Sequence, residues 1–388
     1  GYARASNRPG VILAGQNGPG ATNLVTGIAQ AAAAFSPVVS IAGYISTKDK
    51  IQDAFQGVDQ QSLFKPITKK TWTITKTKKI PEIFSKAFNL AMAPRRGPVQ
   101  LNLPRNILSE TAKFNFKKSE KSYETINSTK GKEGIIKKAA KIISSAIKPV
   151  VIVGGGIKYT GNYKEVAKLA ELINIPIVTA AGHGDAIPFD HKLNVGQMGP
   201  RGNPVASKLM KEADVIIAFG TRLGFNSTFF SYENLNKKAK IIQIELENKM
   251  LGRYFPISVG ICADASTVAK QLLNKIKINK LNKEINNWTK KYLNERSNYL
   301  QERDKVIDRF PIQPANLFKQ LRSVLPKNSA ITLDAGTLCL QATDALEYYD
   351  PPSLFTPLDF GLVGFSFACG LGVKVACPDK SVVSLMGD

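Results

Sequence analysis

The turn Gly15-Gln16-Asn17-Gly18-Pro19-Gly20 lies between an apolar run at 11–14 and an Ala-rich stretch at 21–35. Glycines there let a backbone approach a ligand, and the amides that open a following helix favour anions or polar edges. A tight βα turn with no ligand uses the same residues. Gly154-Gly155-Gly156 follows a second apolar run but does not complete the dinucleotide pattern Gly-x-Gly-x-x-Gly, since Tyr159 stands at its last position. Arg222, just after Gly220, has the charge to hold a phosphate, and serves as readily in a surface ion pair. Gly387-Asp388 follows the apolar run 382–386. An Asp at the carboxyl end of a parallel strand faces the ligand crevice and suits Mg²⁺, a hard ion that bridges phosphates. Its plain alternative is a strand-ending turn.

These residues need strands that end where they begin. Apolar runs at 37–42, 98–103, 149–153, 175–179, 215–219, 240–246 and 330–333 predict further strands. The runs are continuous rather than alternating, as in parallel strands covered on both faces. Helical patterns lie between them, at 135–147, from 162 to 173, from 313 to 325 and at 338–348. Asn162 with Glu165 three later resembles a capping box. The polar, Lys/Ser/Thr/Asn-rich segment 108–133 predicts a linker, and 271–310 a helical connector. The expected fold class is α/β, with three doubly wound parallel-sheet domains.

A chain of 388 residues has room for two or three domains. Its 43% hydrophobic and 21% charged content excludes wholesale disorder and a collagen-like fibre. No apolar run reaches the ~18 residues of a membrane span. Cys262, Cys339, Cys369 and Cys377 lack metal spacing, and with only His183 and His191 beside them a structural zinc site is not expected. Scattered thiols among apolar neighbours suit a reducing, cytoplasmic setting. The net charge of +23 raises nucleic acid as a partner. The Lys excess accompanies abundant Asn and Ile, however, which is a compositional bias. Segment 65–148 holds 17 Lys and 3 Arg against 5 Glu without regularly interleaved aromatics. We therefore expect a solvated basic face and no nucleic-acid partner.

Taken in order, the motifs are more specific than any one alone. They are Gly1-Tyr2-Ala3-Arg4, Gly15-x-x-Gly18-Pro19-Gly20-Ala21-Thr22-Asn23, Asp53-Ala54-Phe55-Gln56, Lys148-Pro149 with the glycine triplet, Gly220-Thr221-Arg222 and Gly387-Asp388. This series resembles the thiamine-diphosphate enzymes of the acetolactate synthase superfamily over essentially the whole chain. The resemblance implies a pyrimidine-binding domain at 1–107, a linker at 108–133, a middle domain at 134–275, a helical connector at 276–311 and a diphosphate-binding domain at 312–388. The first and third domains would be truncated. It implies thiamine diphosphate and Mg²⁺ as cofactors, and a homodimer or tetramer. Gly18, Pro19, Gly20, Gly336, Thr337, Leu338, Gly361, Val363 and Gly387 would bind the cofactor. Val363 would be the wedge under its bend, and the Gly361 carbonyl would accept from its aminopyrimidine. Asp388 would be a metal ligand, and Phe55 and Gln56 would reach the reaction centre. The family's activating Glu and the Asn completing the metal site fall outside these residues, so the chain by itself is expected to be inactive.

The implied activity is a carboligase or acyl transferase that forms an acyl carbanion from a 2-oxoacid or a related aldehyde. Asp53-Ala54-Phe55-Gln56 and Pro66-Ile67-Thr68-Lys69 are similar to acetolactate synthase. Gln16-Asn17-Gly18-Pro19-Gly20, His183-x-Asp185 and Thr221-Arg222-Leu223 with Ser227-Thr228 are more similar to sulfoacetaldehyde acetyltransferase. Thr337-Leu338 replaces the synthase's Gln-His, and Arg222-Leu223-Gly224-Phe225-Asn226 replaces its Arg-Phe-Asp-Asp-Arg. The substrate is thus a 2-oxoacid or a sulfonated aldehyde, and FAD is left open, with the departures favouring its absence. A simple 2-oxoacid decarboxylase and a non-catalytic nucleotide- or nucleic-acid-binding protein are the remaining alternatives.

Overall fold

The computed structural model describes residues 1–49, 53–114, 129–158, 161, 163–305 and 310–387. The chain forms two compact units, the first built on one sheet and the second on two. The first sheet contains β1 (Gly10–Ala14), β2 (Val38–Tyr44), β3 (Thr71–Thr73) and β4 (Val99–Pro104), in the order β1-β2-β4-β3 and all parallel. Side chains of β2 alternate between two apolar clusters. Val39 and Ile41 pack with Leu101 and Ala87, whereas Val38 and Ala42 pack with Ile28 and Phe64. Helix Ile80–Met92 covers the first face and helix Val25–Ala33 the second. β2 is buried over 38–42, which explains its near-continuous apolar run, whereas Val11, Ile12 and Leu13 of β1 are exposed.

In the second unit the larger sheet contains β5 (Pro149–Val153), β6 (Ile177–Thr179), β7 (Asn194–Gln197), β8 (Val215–Phe219), β9 (Lys240–Glu245) and β10 (Val259–Cys262). Their order is β10-β9-β8-β5-β6-β7, again all parallel. The chain runs outward from β5 through β6 and β7, then restarts on the other side with β8, so the topological switch lies between β5 and β8. Segment 276–311 contains the helix Glu284–Arg303, which packs on this sheet. Trp288 and Tyr292 are buried in its apolar cluster. Trp288 Nε1 donates to the Pro149 carbonyl at 2.9 Å, and Thr289 Oγ1 to the Asn174 carbonyl at 2.7 Å.

The third sheet is small: β11 (Ala330–Leu333), β12 (Leu354–Phe355) and β13 (Val382–Leu385), ordered β12-β11-β13 and parallel. A buried ion pair joins it to the second sheet. Lys158 Nζ lies 2.6 Å from Asp185 Oδ1, and both side chains are fully buried. Asp185 Oδ2 accepts from the Ser353 and Leu354 amides, each at 2.8 Å, and Lys158 donates to the Leu354 carbonyl. Three parallel-sheet α/β domains are therefore present, as the sequence predicted. The short strands β3, β7, β10 and β12 had no long apolar run to reveal them. Among the described residues no helix is long and apolar enough to cross a membrane.

The Lys158–Asp185 pair generates a directional expectation. Asp185→Ala removes the acceptor for two buried amides and strands an ammonium, which costs about 3–5 kcal/mol. Lys158→Met leaves a carboxylate still satisfied by those amides and costs less. Urea unfolding followed through Trp288 fluorescence ranks the two, and an equal or reversed order would refute the assigned hierarchy.

Candidate functional site

Parallel sheets place ligands beyond the carboxyl ends of their strands, at the switch point. In the third sheet that point is β11, because the chain visits β12 on one side before β13 on the other. Asp334 directly follows β11 and is buried. Its Oδ1 accepts from the Ala335 and Phe365 amides and its Oδ2 from the Gly364 amide, all at 3.0 Å. One carboxylate thus caps the helix Phe365–Ala376 and ties the turn before it to the strand end. Gly336 follows at φ +130°, with no atom within 4 Å of where a Cβ would stand. It opens the helix Thr337–Ala345 and is itself exposed, as is Thr337. Gly387 leaves the adjacent strand β13 on the same edge, since the Asp334 amide donates to the Leu385 carbonyl at 3.0 Å. Val363 is 73% exposed, a large aliphatic group left out of the core. Gly361 has φ +83° and open space around it.

In the first unit two loops separated by more than thirty residues meet. Gln16 Nε2 donates to Gln56 Oε1 at 2.7 Å, and Asn17 Nδ2 to the Gln56 carbonyl at 3.1 Å. Gly18 has φ +57°, and a Cβ on it would stand 2.7 Å from that same carbonyl oxygen. This glycine is therefore required by both conformation and space. Pro19 and Gly20 start the short helix Pro19–Thr22. Phe55 is 85% exposed beside this contact. Below it Gln60, fully buried, donates to the Gly43 carbonyl and to Asn102 Oδ1 at 3.1 and 3.0 Å. The sequence reading missed Gln60, Gln100 and Asn102. For Gln100 and Asn102 the signal was polar residues at alternate positions within the apolar run 99–103; Gln60 had none.

The glycine triplet has a packing explanation. A Cβ on Gly154 would lie 2.7 Å from the Gly220 carbonyl oxygen, one on Gly156 would lie 2.7 Å from Gly220 Cα, and one on Gly155 would strike the His183 ring. The Gly156 amide donates to the Gly220 carbonyl at 3.0 Å. The glycines thus let the ends of β5 and β8 touch at the switch point of the second sheet. The following loop is also tethered: Ser227 Oγ accepts from the Ala181 amide, and Asn226 Nδ2 donates to the Leu358 carbonyl at 2.8 Å.

The structure therefore brings Gly18, at the head of the helix begun by Pro19 and Gly20, against Gln56 in one place, and Gly336, Thr337, Leu338 and Gly387 along one sheet edge in another. Asp388 lies outside the described residues. Among those described, no cluster of three His, Cys, Asp or Glu side chains has a metal-binding arrangement. Cys339, on the helix after Gly336, is buried; burial, with Asp334 nearby, pushes its thiol up to about 12. It is thus no nucleophile at neutral pH.

Three family descriptions match the chain in order. Residues 1–63 match the thiamine pyrophosphate enzyme N-terminal TPP binding domain, 136–272 the central domain and 334–388 the C-terminal TPP binding domain. Similar proteins include a probable acetolactate synthase large subunit of Methanococcus aeolicus, 35% identical over 100% of this chain and 67% of that protein. The protein of the same name in Methanocaldococcus jannaschii is 35% identical over 100% of this chain and 66% of its own length. A sulfoacetaldehyde acetyltransferase of Alcaligenes xylosoxydans xylosoxydans is 31% identical over 100% and 68%. The chain thus spans about two thirds of the length of these relatives.

The Asp334 clamp can be tested by amide exchange. Asp334→Ala leaves three amides without their acceptor and is expected to cost about 2–4 kcal/mol. Exchange at Gly364 and Phe365 should accelerate, and Asp334→Asn, which keeps one acceptor oxygen, should restore part of the protection. Unchanged exchange at both amides in the Ala variant would rule the clamp out.

Proposed function

Because the chain belongs to the thiamine pyrophosphate enzyme family, we propose that the full-length protein is a thiamine-diphosphate-dependent transferase of the acetolactate synthase type, acting on a 2-oxoacid. The observation that carries this reading is the open, positive-φ Gly336 at the head of a nine-residue helix, beside Gly387 on the neighbouring strand. The fit to a diphosphate is good: free space at Gly336, exposed Thr337 and a helix N-terminus together suit an anion. Gly336, Thr337, Leu338 and Gly387 would hold that group, with Asp388 as a ligand of Mg²⁺. Val363 and the Gly361 carbonyl would support the thiamine rings. When bound, thiamine diphosphate supplies the electron sink for the carbon whose bond is broken. The Asp334 clamp keeps the turn carrying Val363 fixed, so that the wedge is in place before a ligand arrives. Gly18, Pro19 and Gly20 would shape the pyrimidine side, and Phe55 and Gln56 the reaction centre, their positions set by the Gln16 and Asn17 bonds.

A homodimer or tetramer goes with this reading. Phe367, Leu371 and Val375, spaced four apart on one helix, are 58%, 57% and 72% exposed, which makes an apolar stripe suited to a second subunit. Four free thiols, with Cys262 exposed, suit a reducing compartment such as the cytoplasm. Sulfoacetaldehyde acetyltransferase is the second reading, favoured by the loop after β8. There Leu223, Phe229 and Phe230 all have positive φ, in a segment unlike the synthase's charged run. The tight packing of Gly154 and Gly156 on Gly220 removes the triplet as an argument for a pyrophosphate site and favours a protein without FAD.

Calorimetry on the full-length protein should show thiamine diphosphate binding that requires Mg²⁺ and weakens in Asp388→Ala. Equal affinity in excess chelator would contradict the metal role. The absorption spectrum and products then separate the branches. A colourless protein forming acetolactate from pyruvate supports the first reading without flavin. Consumption of sulfoacetaldehyde only with phosphate present supports the second. A stoichiometric flavin band would reverse the expectation on FAD.

A further inference from the structure

A cavity of about 440 Å³ opens in the second unit, among residues that none of the roles above use. Its size falls in the range of small-molecule sites, roughly 300–1,000 Å³. Arg303, at the end of the helix Glu284–Arg303, forms one wall; Lys319 and Arg322, on the helix Pro314–Val324, form another; Lys327 lies just beyond. Asp304 and Glu347 are the lining carboxylates. Both are engaged by Arg303, which is only 10% exposed: Nε lies 2.7 Å from Asp304, and a terminal nitrogen 3.7 Å from Glu347.

Among the described residues no carboxylate pairs with Lys319 or Arg322, and Lys327 has only an exposed partner. Arg322 donates to the main-chain carbonyls of Leu325 at 2.6 Å, Pro326, and Glu347 at 3.4 Å. Lys319 Nζ donates to the Asp304 carbonyl at 2.8 Å. Carbonyl dipoles orient a cation but do not cancel its charge. Lys327 pairs with Asp190 at 3.3 Å, with both side chains mostly exposed. Such a pair is worth about 0–1 kcal/mol and yields easily to a stronger anion. Lys327 Nζ and the Arg322 guanidinium also stand 4.7 and 5.5 Å from the centre of the Tyr349 ring, and Phe318 is buried below. A guanidinium and two ammonium groups supply positive charge suited to a tetrahedral dianion, and the aromatic and apolar wall matches an organic body.

We propose that this cavity is a binding site for a small organic phosphate, a phosphomonoester no larger than a mononucleotide. The phosphate would lie among Lys319, Arg322 and Lys327, and the organic part against Tyr349 and Phe318. This inference does not rest on the thiamine reading.

The test is calorimetric titration of the full-length protein with ribose 5-phosphate, AMP, inorganic phosphate and succinate, each run with and without excess thiamine diphosphate and Mg²⁺. The expected result is one saturable phosphomonoester site, tighter than inorganic phosphate and weakened by added salt. Lys319→Gln with Lys327→Gln should weaken it by about tenfold or more. Both lysines are exposed, so the double variant should melt like the parent. Lys86→Gln, whose ammonium already pairs with Glu82 at 2.6 Å, should change nothing. No saturable binding at low salt, or binding untouched by the double substitution, would overturn the proposal. Succinate binding as tightly as the phosphomonoesters would overturn the ligand class.

Discussion

The second unit depends on a charge pair that never meets water. Lys158 and Asp185 are both fully buried, and a pair so placed holds only if its remaining donors and acceptors are also met. Here the partners are the backbone of Ser353 and Leu354, at the start of the two-residue strand β12. Leu354 and Phe355 are both buried, yet a two-residue strand makes only a short ladder with β11. Its place is fixed from outside, by side chains that follow β5 and β6 of the neighbouring sheet. Because β12 flanks β11, the constraint extends to the strand whose carboxyl end carries Asp334 and Gly336.

The same device recurs at the other strand ends. Asp334 gathers three amides and thereby holds a turn whose own residues, Val363 and Gly364, are exposed. Gln60 bridges the end of β2 to Asn102 inside β4. In each case a buried polar side chain, hydrogen-bonded to backbone or amide groups, ties together segments that apolar packing alone would leave free. The loops can then spend their surfaces on ligands rather than on holding themselves in place. This is the arrangement a site needs if it is to be formed before its ligand arrives.

Glycine serves two separate purposes in this chain. At Gly336 and Gly361 it supplies a positive φ beside open space, which leaves room for a ligand. At Gly154, Gly156 and Gly220 it allows two strand ends to touch, and the space is filled by the protein itself. Both patterns read alike as Gly-rich turns after apolar runs. Only the neighbours at the missing Cβ separate them, and those neighbours come from distant parts of the chain.

The sequence by itself determined the parallel-sheet class, because strands buried on both faces are mostly continuous apolar runs. The runs at 149–153, 215–219 and 330–333 became β5, β8 and β11 with those bounds. Motif order alone also carried the family. The short strands β7, β10 and β12 were invisible, since their pairing comes from the sheet beside them rather than from their own residues. Tertiary structure alone decided that Gln16 and Asn17 hold Gln56, that Asp185 belongs to Lys158 and that Asp334 belongs to Gly364 and Phe365. Each of these bonds joins residues about 27 to 40 apart. Local pattern registers the type of a side chain and the period of its neighbours. Which buried donor meets which acceptor is fixed only when the sheets assemble and leave each polar group one partner within reach.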